Sequence, residues 1–592
     1  MNTAEALVKI LEENGVKYVF GHPGEQILPF YYGLSKSKIK HILCRNEQGA
    51  GIAADGYSRS SGKFGVCVST AGPGAINLIQ GVATAYRDSI PLLVITSDVS
   101  QDVKGLGTFQ DFDLNSLFKP TVVKSFNPHN GKKAIVDFKE AIERLLNGPT
   151  GPIHFNVPKD VFLDENLGDV LNKVVTYSPN YDYSRFEEVF NKLTESKRPL
   201  IIVGGGIFFS NYLTEFKEFL HKNNVPMAYT YNGKGVINSD DKLNLGMVGV
   251  RGSSIANYAF KNSDCILVLG AKLSDRSLNV NKLSLTNIHN IFNDYKHKII
   301  HVNNENNSFK GKINIYGDIK ELFNKFNSLL DLKNSNDNSN NDINNNLNNI
   351  SNINLNNNSN SNLNISYNDK NKLFFNNIDE NWLDEIYLND EDIENCVPGI
   401  YDSTSPLKPQ HVIYHILNQN KISITVNDAG SHTTWAAILS NPNESGRFLA
   451  SGTIAPMGYA IPAAIGANLA QKDKKTIVIV GDGGIQMNIQ ELATIAENNL
   501  PIAIFLLNNQ QLGIIRQWEH LFFEMDNYEV DLSNPNFELL SKSYGIEYQL
   551  VKTSEDLKIA IEHSKSILSP VIYEIIVDKE DIPLPKPDIP IN

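Results

Sequence analysis

The sequence predicts an α/β protein of three domains, each a doubly wound parallel sheet. Short β-branched runs recur along the chain, stretches of helical period separate them, and Gly and Pro clusters follow many of the runs. Strands covered on both faces read as continuous apolar segments. Open α/β sheets bind ligands beyond the carboxyl ends of such strands, where the Gly and Pro clusters fall. The chain has 592 residues, 41 % of them hydrophobic. At about 150 residues per domain that is three or four domains, with apolar material for a core in each.

In chain order, the first domain is placed at 1–165. It opens directly on an amphipathic helix, without the charged start, apolar middle and cleavage site of a signal peptide. Its strands are expected at Gly65–Ser69 and Leu92–Thr96. The second domain, 183–330, has strands at Leu200–Val203 and Cys265–Leu269, and the third, 400–580, at Thr476–Val480 and Ile502–Leu507. Between them, 331–378 reads as a disordered linker, since 18 of the 31 residues from Asn334 to Asn364 are Asn. Polar low-complexity sequence buries too little apolar surface to offset its ordering entropy. No catalytic role is expected there.

Composition excludes several classes of function. The formal net charge is −13 and no basic run is longer than a few residues, which argues against a nucleic-acid partner. No apolar stretch approaches the roughly 20 residues that cross a bilayer, so no membrane association is expected. Cys44, Cys67, Cys265 and Cys396 are far apart and lack metal-ligand spacing. Such sparse usage fits a reducing compartment, and the predicted location is cytoplasmic.

The most specific chemical signal lies in the third domain. Strand Thr476–Val480 runs into Gly481-Asp482-Gly483-Gly484, and the next strand ends at Asn508-Asn509-Gln510-Gln511, with Asn509 falling 27 residues after Asp482. Two strand ends can thus offer a carboxylate and a carboxamide oxygen to one hard cation. Mg²⁺ takes such oxygens and completes its shell with water and phosphate. Glycines beside Asp482 permit close approach of a pyrophosphate. The next helix is expected to start at Asn488, with Glu491 closing a capping box and exposed N–H groups favouring the anion.

This pattern resembles the thiamine-diphosphate motif. The longer runs Gln486–Thr494 and Asn508–Gly513, continuing to Gln517-Trp518-Glu519, are similar to those of acetolactate synthase catalytic subunits. The resemblance implies two cofactor-binding domains flanking a central Rossmann-like domain. It implies that Asp482, Asn509 and the backbone oxygen of Gln511 hold magnesium, with Gly483 and Gly484 beside the diphosphate of thiamine diphosphate. In the first domain, Arg45-Asn46-Glu47-Gln48-Gly49-Ala50 matches the segment whose glutamate, here Glu47, hydrogen-bonds the aminopyrimidine ring. A partly desolvated carboxylate suits that proton work, and the cofactor carries the carbanion chemistry. Ala71–Asn77, with Pro73 and Asn77, matches the lining of the pyrimidine pocket. Met457 matches the side chain that holds thiamine bent, although Met by itself is more commonly a core filler. The family's glutamate and metal site come from different subunits, so the resemblance implies a homodimer or homotetramer. A small regulatory subunit is the further partner to test for.

Other positions favour this member of the superfamily. Phe109 and Gln110, in Gly107-Thr108-Phe109-Gln110, resemble the family's pair near the reactive carbon, and Pro158-Lys159-Asp160 its lysine motif. Arg276 and Trp518 correspond to the pair that selects the second 2-oxo acid. A guanidinium can grip its carboxylate in bidentate fashion, and an indole sets pocket size. The implied reaction decarboxylates pyruvate and joins the hydroxyethyl carbanion to pyruvate or 2-oxobutyrate, in branched-chain amino acid biosynthesis. The family's central domain binds FAD. Gly204-Gly205-Gly206, Asp275-Arg276 and Gly317-Asp318 fit, with Asn303 and Glu305 where two aspartates are usual.

Three further positions depart from the family. Glu25 replaces a glycine in Pro23-Gly24-Glu25, and Val250-Arg251 replace Met-His. Ser431-His432-Thr433-Thr434-Trp435 stands for Gln-His-Gln-Met-Trp around the diphosphate, keeping His432. Glu25 is similar to a carboxylate of pyruvate decarboxylases, so the alternative reading is a thiamine-dependent 2-oxo acid decarboxylase or another carboligase. The paired histidines of those decarboxylases are missing near Gly107–Gln110. An inactive cofactor-binding paralogue is the third reading, and it does not explain why Glu47, Asp482 and Asn509 are all kept.

Overall fold

The computed structural model describes residues 1–278, 293–304, 311–337, 374–375 and 377–579. Glu305 and the Asn-rich run from 338 onward, including its expected disorder, lie outside them. The described strands form three six-stranded sheets. The first holds β1 (Tyr18–Gly21), β2 (Lys40–Leu43), β3 (Gly65–Ser69), β4 (Leu92–Asp98), β5 (Lys124–Phe126) and β6 (Pro152–Pro158), in the order β2-β1-β3-β4-β6-β5. The central sheet holds β7 (Pro199–Val203), β8 (Met227–Tyr229), β9 (Asn244–Met247), β10 (Cys265–Leu269), β11 (Ile299–Asn303) and β12 (Ile313–Tyr316), in the order β12-β11-β10-β7-β8-β9. The third holds β13 (Ile424–Asn427), β14 (Phe448–Leu449), β15 (Thr476–Gly481), β16 (Ile502–Asn508), β17 (Glu547–Val551) and β18 (Val571–Ile576), in the order β14-β13-β15-β16-β18-β17.

Neighbouring strands in all three sheets run parallel. The α/β class read from the sequence is therefore the class observed. Counted from their own first strands, the first and third sheets share the order 2-1-3-4-6-5. In both, the winding reverses between the first and third strands, and loops beyond those two ends open on one crevice. The central sheet reads 3-2-1-4-5-6, the order of dinucleotide-binding folds.

Helix Glu47–Ser61 crosses helix Ala460–Ala470 and joins the first and third sheets around one core. A Cβ on Gly466 would fall 1.8 Å from the carbonyl oxygen of Ala53, and one on Gly56 would fall 2.1 Å from that of Ala463. The two backbones touch, which explains why both helices are written in Gly and Ala. The central sheet is tied to the third through Lys234. Its ammonium donates to the carbonyls of Ala437 (2.9 Å) and Ser440 (3.0 Å) at the end of helix His432–Leu439. Burial pulls its pKa down to about 7.

Two differences from the expected boundaries have a packing cause. Helix Ile319–Asp337 runs into the segment read as linker. At the far end of that segment, Phe374 and Phe375 are buried in the central core against Phe190 and Phe219. Trp382, buried beyond them, donates its indole N–H to the carbonyl of Pro199 at 3.1 Å. The chain thus returns to cover the central sheet before it enters the third domain.

Candidate active site

In the first sheet, the predicted site residues lie beyond the carboxyl ends of β2, β3, β4 and β6. Asn46 caps helix Glu47–Ser61, so Glu47 is its first residue. Glu47 is 9 % exposed, and its carboxylate accepts the side-chain amide of Asn77 at 3.0 Å. Asn77 lies one turn into helix Pro73–Asp88, where Pro73 takes the first position because its missing N–H is not needed there. Gly72 turns at φ 59° and packs against Gln110, which itself sits at φ 65°. The Gln110 side-chain oxygen is buried without a partner. Phe109 beside it is 74 % exposed. Lys159, just past β6, reaches Glu25 at 3.2 Å across the mouth of the same crevice. Glu47, Pro73, Asn77, Phe109, Gln110, Lys159 and Glu25 thus share one rim.

The third sheet builds a second rim. Gly481 pairs with Leu507, so the ends of β15 and β16 are neighbours and present Asp482 and Asn509 side by side. The carboxylate of Asp482 accepts Asn534 Nδ2 at 2.7 Å, and that amide also donates to Asn508 at 3.0 Å. Burial raises the pKa of Asp482, an effect eased by the bond from Asn534. Asn509 accepts the backbone N–H of Gln511 at 3.1 Å, which turns the loop back towards the rim. His432 is buried with Nε2 unpartnered, and burial pulls its pKa down to about 4. A Cβ on Gly483 would lie 3.2 Å from Met457 Cε and 2.9 Å from Leu512, while one on Gly484 would meet Asp428 at 3.0 Å.

One local expectation is corrected. The helix after β15 starts at Asp482 and ends at Met487, and a second runs from Glu491 to Glu497. Asn488 closes the first helix and donates to the carbonyl of Gly458 at 2.8 Å. Glu491 does not cap its own helix. Its carboxylate accepts the N–H groups of Arg45 (2.9 Å) and Asn46 (3.0 Å) in the first domain. The tight glycine turn allows helix geometry at once, so the anion-facing N–H groups belong to residues just after Gly481.

Two residues of this rim, and the role of a third, escaped the sequence reading. Asp428, at the end of β13, accepts N–H groups from Ala429 (2.8 Å), Gly458 (2.9 Å) and Ala460 (2.8 Å), pinning the segment that carries Met457. A carboxylate just past an apolar strand was the available signal. Asn534 and the inter-domain role of Glu491 had none, because both act over long sequence separations.

A cavity of about 880 Å³ lies between the central and first domains, lined by Gly206, Asn303, Gly317 and Asp318 on one side and by Tyr18 and Lys63 on the other. Gly204 does not line it. A Cβ there would fall 2.3 Å from the carbonyl oxygen of Gly270, so Gly204 serves backbone packing between β7 and the loop after β10. Arg276 accepts the N–H of Val250 through its backbone oxygen at 2.9 Å, and its guanidinium faces Asp275 at 3.6 Å. Trp518 ends helix Gly513–Trp518, partly exposed. Among the described residues, no hydrogen bond or ring contact joins Arg276 to Trp518, or Glu47 to Asp482 or Asn509. Nor is any cluster of three His, Cys, Asp or Glu side chains placed to hold a metal.

Comparison with known proteins decides the family. Models of the thiamine pyrophosphate enzyme match in three parts: the N-terminal TPP binding domain over residues 1–117, the central domain over 186–326 and the C-terminal TPP binding domain over 428–575. The probable acetolactate synthase large subunit of Methanococcus aeolicus is 34 % identical, over 98 % of this chain and 92 % of its own length. The acetolactate synthase large subunit of Cyanidium caldarium is 35 % identical, over 97 % and 93 %. The acetolactate synthase isozyme 2 large subunit of Escherichia coli is 29 % identical, over 98 % and 96 %. This chain belongs to the acetolactate synthase family of thiamine pyrophosphate enzymes. It is therefore a thiamine-diphosphate-dependent enzyme of the acetolactate synthase type. The two TPP binding domains of this acetolactate synthase homologue are the two domains of shared strand order. No helix among its described residues is long and apolar enough to cross a membrane.

Proposed function

We propose that the chain decarboxylates pyruvate and transfers the two-carbon unit to a second 2-oxo acid, pyruvate or 2-oxobutyrate, in branched-chain amino acid biosynthesis in the cytoplasm. The observation that carries this reading is the adjacency of Asp482 and Asn509 on paired strand ends, opposite in kind to the proton-handling rim around Glu47. When bound, thiamine diphosphate supplies a stabilised carbanion next to its thiazolium nitrogen.

The third-sheet residues fit a magnesium diphosphate. Asp482, Asn509 and the Gln511 carbonyl offer three oxygens, and Mg²⁺ commonly draws the rest of its shell from phosphate and water. Buried His432 would donate to the diphosphate in the tautomer protonated at its unpartnered Nε2. Gly483 lets Leu512, Leu532 and Met457 pack against the backbone and Gly484 does the same for Asp428, and Met457 would support the bound cofactor there. In the first domain, Glu47 holds a proton against a pyrimidine nitrogen, steadied by Asn77. Gln110 and Lys159 would position the first 2-oxo acid at the bound cofactor, and Phe109 would shield it from water. Arg276 binds the carboxylate of the second acid, and Trp518 limits its side chain.

FAD is favoured by the size of the cavity between the central and first domains, by Gly206 and Gly317 in its lining, and by the half-buried carboxyl of Asp318. Two supports favour a homodimer or homotetramer that completes the site across subunits. Glu47 makes no bond to the Asp482 rim within one chain, and Phe109, Leu106 and Met487 expose apolar surface around the rims. The relatives are named large subunits, which supports testing for a small regulatory subunit. A second reading, net decarboxylation, draws support from Glu25, whose carboxylate reaches Lys159.

The test is incubation of the purified protein with pyruvate, with and without thiamine diphosphate, Mg²⁺ and FAD, identifying products. Acetolactate is expected. Acetaldehyde as the main product would favour decarboxylation and overturn the carboligase reading.

A further inference from the structure

We propose that Lys104 is a positioning residue, anchoring the loop 99–113 to the buried carboxylate of Asp98 and so setting Phe109 and Gln110 over the reacting carbon. The proposal rests on the reading of Phe109 and Gln110 given above.

Asp98 ends β4 and is fully buried. One of its oxygens accepts the N–H of Val99 at 2.9 Å, and the other accepts Asn156 Nδ2 at 2.8 Å and the Lys104 ammonium at 2.5 Å. Behind this carboxylate runs a satisfied polar chain. The Thr96 hydroxyl donates to Asn156 Oδ1 at 2.8 Å, which leaves its oxygen to accept from His154 Nε2 at 2.8 Å. The other ring nitrogen of His154 lies 2.9 Å from the hydroxyl of Ser125, which also reaches Asn115 Oδ1 at 3.1 Å. Burial pulls the His154 pKa down to about 3, in keeping with one protonated ring nitrogen. The ring also stacks on Phe118, centroids 4.1 Å apart.

Every member of this chain stands on β4, β5 or β6 except Lys104 and, at its far end, Asn115. The strands fix the carboxylate, and the carboxylate fixes the ammonium. From there the loop closes on itself: Gly105 donates to Asp111 at 2.7 Å, and the N–H of Asp111 to the carbonyl of Thr108 at 3.0 Å. Its base is held by Gln101, which donates through N–H (3.1 Å) and Nε2 (2.8 Å) to Asp160. Past Val99, which is buried, its apolar side chains give it little anchorage, since Leu106 and Phe109 are 73 % and 74 % exposed. A charged hydrogen bond to a buried carboxylate, with the lysine itself half-buried, is the strong contact that holds its middle.

The predicted consequences separate anchoring from mere stability. Lys104→Met leaves a buried carboxylate without its cation, whereas Asp98→Asn combined with Lys104→Met removes both charges. With the full-length enzyme, Lys104→Met should lower kcat/KM by about 10-fold or more, since small misplacements of reacting groups cost up to about 100-fold. Hydrogen–deuterium exchange without cofactor should quicken across 104–111. Lys104→Arg should restore most of both. The double variant should recover the thermal midpoint but neither the slow exchange nor kcat/KM. Wild-type exchange and kcat/KM in Lys104→Met would overturn the proposal, as would a double variant regaining activity along with stability. If the wild-type enzyme makes no acetolactate, the functional reading fails instead, and the exchange data still decide whether Lys104 anchors the loop.

Discussion

The carboxylate of Glu491 accepts the backbone N–H of Asn46 at 3.0 Å, so the helix that begins at Glu47 is held at its first turn by the third domain of the same chain. The same oxygen takes the N–H of Arg45, and the other takes the hydroxyl of Thr494. Removing it strands two N–H groups at a domain junction, at about 1–3 kcal/mol each for unsatisfied buried donors.

Glu491→Ala is therefore expected to lower the unfolding free energy by about 1–3 kcal/mol after partial rehydration, with kcat falling more than KM rises. Glu491→Gln keeps an acceptor oxygen and should lose less. Denaturant unfolding of the three proteins checks this. Equal midpoints would mean the Glu47 helix is not held from the third domain.

Glu47→Gln removes the proton-handling oxygen while preserving shape and the contact with Asn77. Turnover should fall by roughly 100- to 10,000-fold, the range for a positioned acid or base. Calorimetric binding of thiamine diphosphate should be retained. Turnover that survives the substitution would remove Glu47 from the mechanism.

Asn534→Ala deletes the partner that orients Asp482. Loss of such an orienting bond commonly costs roughly 10- to 100-fold in metal affinity. The Mg²⁺ concentration for half activation should rise by that factor, with full activity regained at high Mg²⁺. Chelation followed by desalting should strip thiamine diphosphate from the wild-type protein. Cofactor that stays bound without divalent ions would contradict the assignment of Asp482 and Asn509.

Asp428 is fully enclosed, and burial raises its pKa from 3.8 to about 6 against three N–H donors that favour the anion. The folded protein thus holds this proton more tightly than the unfolded chain. Its contribution to stability is complete below the unfolded value and is lost as pH rises through about 6. A shift of this size corresponds to about 3 kcal/mol. The stability of wild type relative to Asp428→Asn should be larger at pH near 4 than above 7 by up to that amount. A pH-independent difference would show that this carboxyl does not titrate in that window.

Local order was legible in the chain. Continuous β-branched runs placed β3, β4, β7, β10, β15 and β16 to within two residues at either end, because an interior parallel strand must be apolar on both faces. Gly481–Gly484 and Asn508–Gln511 were legible as a turn chemistry and a donor set. The start of the next helix was misread because Ser, Thr, Asn and Asp before an apolar run are good caps only when the chain is not already helical. Asp482–Met487 was already a helix.

What the sequence by itself determined is the α/β class, six of the strands and the residue types just beyond several of their ends. Those follow from periodicity, side-chain volume and backbone freedom, all of which act within a few residues. Only the tertiary structure decided that Glu491 meets Asn46 across 445 positions, that Asn534 meets Asp482 across 52, and that Lys104 finds Asp98 rather than solvent. Such contacts depend on which strands become neighbours, and strand order is fixed by the packing of whole layers, not by any local run of residues.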